Sequence, residues 1–255
     1  MKEVDKAINQ TIDDWKSNPL NFNKENSIQT YLSNKIKDNL EKEEAEVKEV
    51  IVEKYTTEKK DFFEDEMEKR GKTVNRVIQE AAVIRNGDDD GKSIDIGVLK
   101  EEAKIQLKNG SQKYYEEDFE VLIELKYPPN NHFYKVFDKK KNKGEDFPNG
   151  ENSAINPNKL NEIVSQDQWK DDYGIEEDIK ELSKVNCRKI VLVFSHYDLL
   201  FQKPQRKNRA KEIGGNEEIY NKIGDYIYQF FNNMATEKDV EFKYCSINTA
   251  ENLKN

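Results

Sequence analysis

The sequence predicts an α/β fold with a mixed central sheet, flanking helices and a helical N-terminal region. Three observations predict it. Apolar residues recur at helical spacing near the start of the chain, and period-two apolar runs fill its middle. In the second half, strand-like runs alternate with helical ones, as in a layered α/β domain.

From about 4 to 17, Val4, Ala7, Ile8, Ile12 and Trp15 follow the helical period. "KSNPLNFNKEN" then reads as a loop by its Asn and Pro content. A second helix starts near Glu25, with Ile28, Tyr31, Leu32, Ile36 and Leu40 as its stripe. The charge-dense stretch "EKEEAEVKEVIVEKYTTEKKDFFEDEMEKRG" reads as a solvated helix with opposite charges three or four apart, so the N-terminal helices are expected to reach about residue 70.

The sheet core is expected from about 75 onward. "TVNRVIQEAAVIRNG" is a strand leading into the turn "NGDDDGKS". In "SIDIGVL", Ile94, Ile96 and Val98 share one face, while Asp95 and Gly97 share the other. "KEEAKIQLKNGSQKYYEEDFEVLIELKY" reads as a hairpin-like pair turning at "KNGSQ". A polar insertion from about 130 to 158 is too long for an ordinary connection. The helix "IEEDIKELSKV", the apolar strand "RKIVLVFSHY", the helix "NEEIYNKIGDYIYQFFNNM" and the strand "VEFKYCSI" complete the chain. There is no internal repeat.

The 255 residues suffice for one large domain or two small ones, and a single domain over 1–255 is the expectation. Hydrophobic residues make up 35% and charged residues 36%, so the core must come from clustered apolar runs beneath very polar helices and loops. The net charge of −9 argues against a broad basic surface but not against a local basic groove. Cys187 and Cys245 have no metal-like spacing and fit a reducing compartment. "MKEVDKAINQ" has no apolar leader core and no run approaches a membrane span, so a cytoplasmic protein without membrane contact is expected.

In "DFEVLIELKY", Val121, Ile123 and Leu125 take one face, while Leu122, Glu124 and Lys126 take the other. A strand that looks interior therefore carries a carboxylate and an ammonium on one face. If it pairs with "SIDIGVL", Asp95, Glu124 and Lys126 converge at one end of a sheet. Two neighbouring carboxylates repel unless a cation lies between them, so removing either is expected to raise the melting temperature of the metal-free protein. A hard divalent ion with oxygen ligands suits such a pair, and a lysine beside it can assist a water or stabilise charge on a phosphoryl oxygen.

"SIDIGVL" followed by "VLIELKY" resembles the D…(D/E)xK signature of the PD-(D/E)xK nuclease superfamily, which has the restriction-endonuclease-like fold. An earlier helix carrying a glutamate ("KENSIQTYLSNKI"), a later helix ("GIEEDIKELSKV") and an apolar strand ("KIVLVFSH") extend the resemblance over roughly Glu25 to His196. It implies that Asp95 and Glu124 bind magnesium, with manganese able to substitute, and that Lys126 assists the attacking water. It adds Glu25 as a further metal-site residue. The implied activity is phosphodiester hydrolysis, in DNA above all, in restriction, repair or defence. A catalytically silent module of the same fold, acting in binding or assembly, is the alternative. Two departures are Ile94 in place of a proline before Asp95 and the long insertion after "ELKY".

In an acidic protein the phosphate-contact candidates are Lys139, Lys140, Lys141 and Lys143, with Arg206, Lys207, Arg209 and Lys211. A homo-oligomer or a protein partner is compatible with the sequence. Asp88, Asp89 and Asp90 read as loop, His132 and His196 as non-catalytic, and Tyr114, Tyr115, Tyr226 and Tyr228 as packing residues; Asp178 and Lys180 read as surface residues, while the resemblance, in which this helix leans over the site, leaves a substrate contact open to them. The competing structural reading of Glu124 and Lys126 is an edge strand with a solvated face.

Overall fold

The helical stripes near the N-terminus form two helices. In a computed structural model of the chain, residues 2–22, 24–53, 73–85, 92–108, 111–127, 174–195 and 228–246 are described. Helix α1, Lys2–Ser17, buries Val4, Ala7, Ile8, Thr11 and Trp15. Helix α2, Glu25–Asn39, buries Ile28, Gln29, Leu32, Ser33 and Ile36. The two are tied together at Asp14, whose carboxylate accepts the Tyr31 hydroxyl at 2.7 Å and lies 3.5 Å from the Lys35 ammonium.

The charge-dense stretch after α2 is not the expected solvated helix. Its first part is strand β1, Glu44–Glu53. Ala45 and Val47 are buried while Glu44, Glu46 and Lys48 are exposed, a period of two that the charge spacing obscures. The charges do pair, but across strands: Lys48 meets Glu102 at 2.9 Å and Lys104 meets Glu49 at 3.8 Å. Residues 54–71 of that expectation lie outside the described residues.

The sheet therefore begins at Glu44, not near residue 75. Strands β2 (Thr73–Asn75), β3 (Val77–Ile84), β4 (Lys92–Leu99), β5 (Glu102–Lys108), β6 (Ser111–Tyr115) and β7 (Phe119–Lys126) follow. The chain is a mixed α/β fold with an N-terminal helical region and a central sheet flanked by helices.

By its internal contacts the chain forms two compact units. One comprises Met1–Leu125 with Glu181–Ile190. Its strands run in the order β2-β1-β5-β6-β3-β4-β7. β1 with β5 and β3 with β6 are parallel pairs, and the other described pairs are antiparallel. The expected hairpin is β5–β6, in the register Ile105↔Tyr114. "VLIELK" is not part of it. A one-turn 3-10 segment, Glu116–Asp118, carries the chain away, and β7 pairs with β4. Asp118 pins this crossing: its carboxylate accepts the Lys104 N–H and its carbonyl the Lys100 N–H, both at 2.8 Å.

Helix α2 packs on β3 and β4 in this unit. Gly97 in β4 lies so close to β7 that a Cβ there would come 2.3 Å from a Phe119 ring carbon, which no larger residue allows without repacking. At the far end of β4, the buried Arg76 donates from Nε to the Leu99 carbonyl at 2.8 Å and pairs with Glu120 at 3.1 Å.

The other unit comprises Lys126–Lys180 and Val191–Asn255. Its described parts come from helix α3 (Ile175–Leu182), strand β8 (Arg188–Ser195), helix α4 (228–237) and strand β9 (Glu241–Ser246). α3 and β8 each begin in one unit and end in the other. β8 and β9 are neighbours in the sheet. The turn expected at "NGDDDGKS" lies mainly, and Asn109 and Gly110 of "KNGSQ" and the 130–158 insertion lie wholly, outside the described residues.

Candidate active site

The β3–β4 register runs Gln79↔Ile96 and Ala81↔Ile94, which sets Glu80 opposite Asp95. The β4–β7 register reaches Ile96↔Ile123, and one further step sets Asp95 opposite Glu124. One row across three adjacent strands thus carries three carboxylates. Residues directly opposite each other in antiparallel strands project to the same face, so Asp95 and Glu124 are neighbours on the sheet.

The hydrogen bonding departs from a simple ladder at this row. The Asp95 carboxylate turns to the neighbouring strand and accepts the Leu125 N–H at 2.6 Å. The Asp95 carbonyl accepts Gln29 Nε2 of α2 at 2.7 Å. Gln29 Nε2 also donates to the Glu80 carboxylate at 2.8 Å, and Ser93 donates to the same group at 3.1 Å. Glu80 has φ 50°, a left-handed conformation that costs a non-glycine residue free energy and is held by its surroundings.

Glu124 is only 5% exposed, so the solvated-edge reading of this strand is overturned. Two residues further along β7, Lys126 extends its ammonium to Asp178 of α3, 2.9 Å away. Its Cε lies 3.8 Å from the position a Cβ on Gly174 would take, next to the start of α3.

Asp95 and Glu124 are brought together, and Lys126 follows on the same strand face. Glu25 is the first residue of α2 and half-buried, one turn before Gln29. Asp178 is not the surface residue expected of it: it is 7% exposed and ion-paired. Lys180 is exposed and pairs with Glu176. Tyr114 packs edge-on against Phe119, and Tyr228 packs against Phe242. Lys139, Lys140, Lys141, Lys143, Arg206, Lys207, Arg209 and Lys211 lie outside the described residues, as do Asp88, Asp89, Asp90, His132, His196 and Tyr226.

The sequence singled out neither Gln29 nor Glu80 as part of this arrangement, and it placed Asp178 first of all at the surface. Two of them left a signal. Asp178 interrupts the apolar stripe Ile175, Ile179, Leu182, and Gln29 lies within the stripe of Ile28 and Leu32. A polar residue inside a buried stripe needs a partner. Glu80 left none, because its backbone conformation depends on its neighbours.

Among the described residues, no three His, Cys, Asp or Glu side chains gather as a metal-binding group. Asp95 and Glu124 are a pair of carboxylates, and Glu80 is directed to Gln29 and Ser93. Two carboxylates match an ion that keeps several waters and takes further oxygens from a phosphate. They do not match a closed structural site. Cys187 and Cys245 form no disulfide, and burial pushes the Cys187 thiol up to about 11, which makes it a poor nucleophile at neutral pH. No helix among the described residues is long and apolar enough to cross a membrane.

No protein-family model, no curated protein and no solved structure matches this chain.

Proposed function

We propose that the chain is a metal-dependent nuclease of the PD-(D/E)xK kind, hydrolysing phosphodiester bonds, with DNA as the substrate. The observation that carries this reading is the juxtaposition of Asp95 and Glu124 on adjacent strands, with Lys126 next on the Glu124 face. Asp95 and Glu124 would hold magnesium or manganese, and Glu25 would complete their surroundings from the start of α2. Bound there, the ion supplies Lewis-acid polarisation of a phosphate and an acidified water. Asp95 is aimed by the Leu125 N–H. Lys126 brings a positive charge for the developing negative charge on the phosphoryl group, and Asp178 fixes its direction. The two lysine- and arginine-rich segments would position the phosphate backbone without reading bases.

A second reading has its own support. The Asp95 carboxylate and the Lys126 ammonium both have intramolecular partners, and the described residues include no three-ligand cluster. A silent module of this fold, acting in binding or assembly, would keep such contacts permanently.

Plasmid and linear DNA incubated with magnesium, with manganese and with excess chelator separate the two. Metal-dependent cleavage that disappears in Lys126→Ala supports the nuclease. DNA binding without cleavage under any metal supports the silent module, and cleavage in excess chelator refutes the metal mechanism.

A further inference from the structure

We propose that Gln29 is the positioning residue of the Asp95 row: its amide fixes the Asp95 main chain so that the Asp95 carboxylate stays on the Leu125 N–H. Gln29 is 5% exposed and sits one turn into α2. Its two bonds go to a carbonyl and a carboxylate, which only accept, so the amide nitrogen must be the atom facing them. Both donors of one NH2 group are thereby used, at 2.7 and 2.8 Å, on residues far apart in sequence.

The geometry assigns the two bonds different tasks. At Glu80 the bond helps hold a strained left-handed residue in the middle of β3. At Asp95 it satisfies a carbonyl in the row where Glu80 interrupts regular strand geometry. Anchoring that carbonyl limits rotation of the Asp95 backbone, and the same residue's carboxylate is the acceptor for Leu125 in β7. Gln29 therefore acts on the candidate site through Asp95 without needing to touch substrate. This rests on the reading of Asp95 as a site residue for its catalytic meaning, but not for its structural content.

The test uses the full chain and two variants. Gln29→Glu keeps the shape of the side chain and replaces the donor by a third acceptor facing the Glu80 carboxylate and the Asp95 carbonyl. Gln29→Glu with Glu80→Gln restores a donor–acceptor pair between positions 29 and 80 but leaves the Asp95 carbonyl without its amide. Amide hydrogen exchange read by NMR follows Leu125, with Val98 and Val121, paired further along the same two strands, as internal references. In Gln29→Glu, Leu125 should exchange about tenfold faster, as for loss of one hydrogen bond, while the two references hold. The double variant should recover melting temperature yet keep the fast Leu125 exchange, and its cleavage should show reduced kcat with little change in the KM for DNA. Unchanged Leu125 exchange in Gln29→Glu, or slow exchange regained in the double variant, overturns the proposal. Wild-type protein that never cleaves DNA removes the nuclease reading, and the Leu125 exchange then decides the positioning role by itself.

Discussion

Lys126 and Asp178 form an ion pair at 2.9 Å, between the last residue of β7 and a buried carboxylate of α3. The pair explains how a lysine is tolerated at the end of an otherwise interior strand. It also explains why an aspartate lies on the buried face of an amphipathic helix.

Removing one member of such a pair leaves the other charge desolvated. Asp178→Ala should therefore destabilise the protein by about 3 kcal/mol, the low end for a buried pair because the Lys126 side chain is 17% exposed. Asp178→Asn should cost less, since the amide oxygen still accepts a hydrogen bond. Urea unfolding of the three proteins measures this. Equal midpoints for Asp178→Ala and wild type would show that the pair contributes nothing.

Asp95 separates stability from chemistry. Carboxylate repulsion across the row predicts that Asp95→Ala raises the melting temperature, whereas the hydrogen bond made by Asp95 predicts the opposite sign. The Asp95 carboxylate accepts the Leu125 N–H at 2.6 Å, and orphaning a buried amide costs about 1–3 kcal/mol. Asp95→Ala should melt lower than wild type. Asp95→Asn should stay close to it, because its side-chain oxygen remains an acceptor. Both should lose cleavage if the proposed function is right. Thermal melts and a plasmid assay on the same preparations check both halves; an Asp95→Ala protein that melts higher than wild type would discount the Leu125 bond.

Glu181 gives a pH dependence with a definite sign. Hydrogen bonds from Lys184 and Arg85 bring its carboxyl down to about 2, with further help from the nearby positive charge of Lys92. The folded state therefore prefers the ionised form. Its contribution is fully present above the ordinary glutamate pKa of about 4.3 and is lost as pH falls toward 2. The stability gap between wild type and Glu181→Gln should be constant at neutral pH and close between about pH 4.5 and 2. Denaturant unfolding across that range tests it; a gap that persists unchanged at pH 2 would mean the effect is packing and not charge.

Sequence periodicity by itself determined much of this protein. Period-two runs in "SIDIGVL" and "VLIELK" fixed both strands and placed Asp95, Glu124 and Lys126 on their polar faces, because alternation is a property of any extended chain. Helical spacing likewise placed α1, α2 and α3. It failed at β1, where charge spacing suits an exposed helix and an exposed strand face equally, and pairing with β2 and β5 chose between them. The tertiary structure alone decided which strands pair, that Glu80 opposes Asp95, and that Gln29 and Asp178 point inward. Those outcomes depend on partners distant in the chain. A buried polar group is stable only where a complementary group meets it, and no local pattern specifies that meeting.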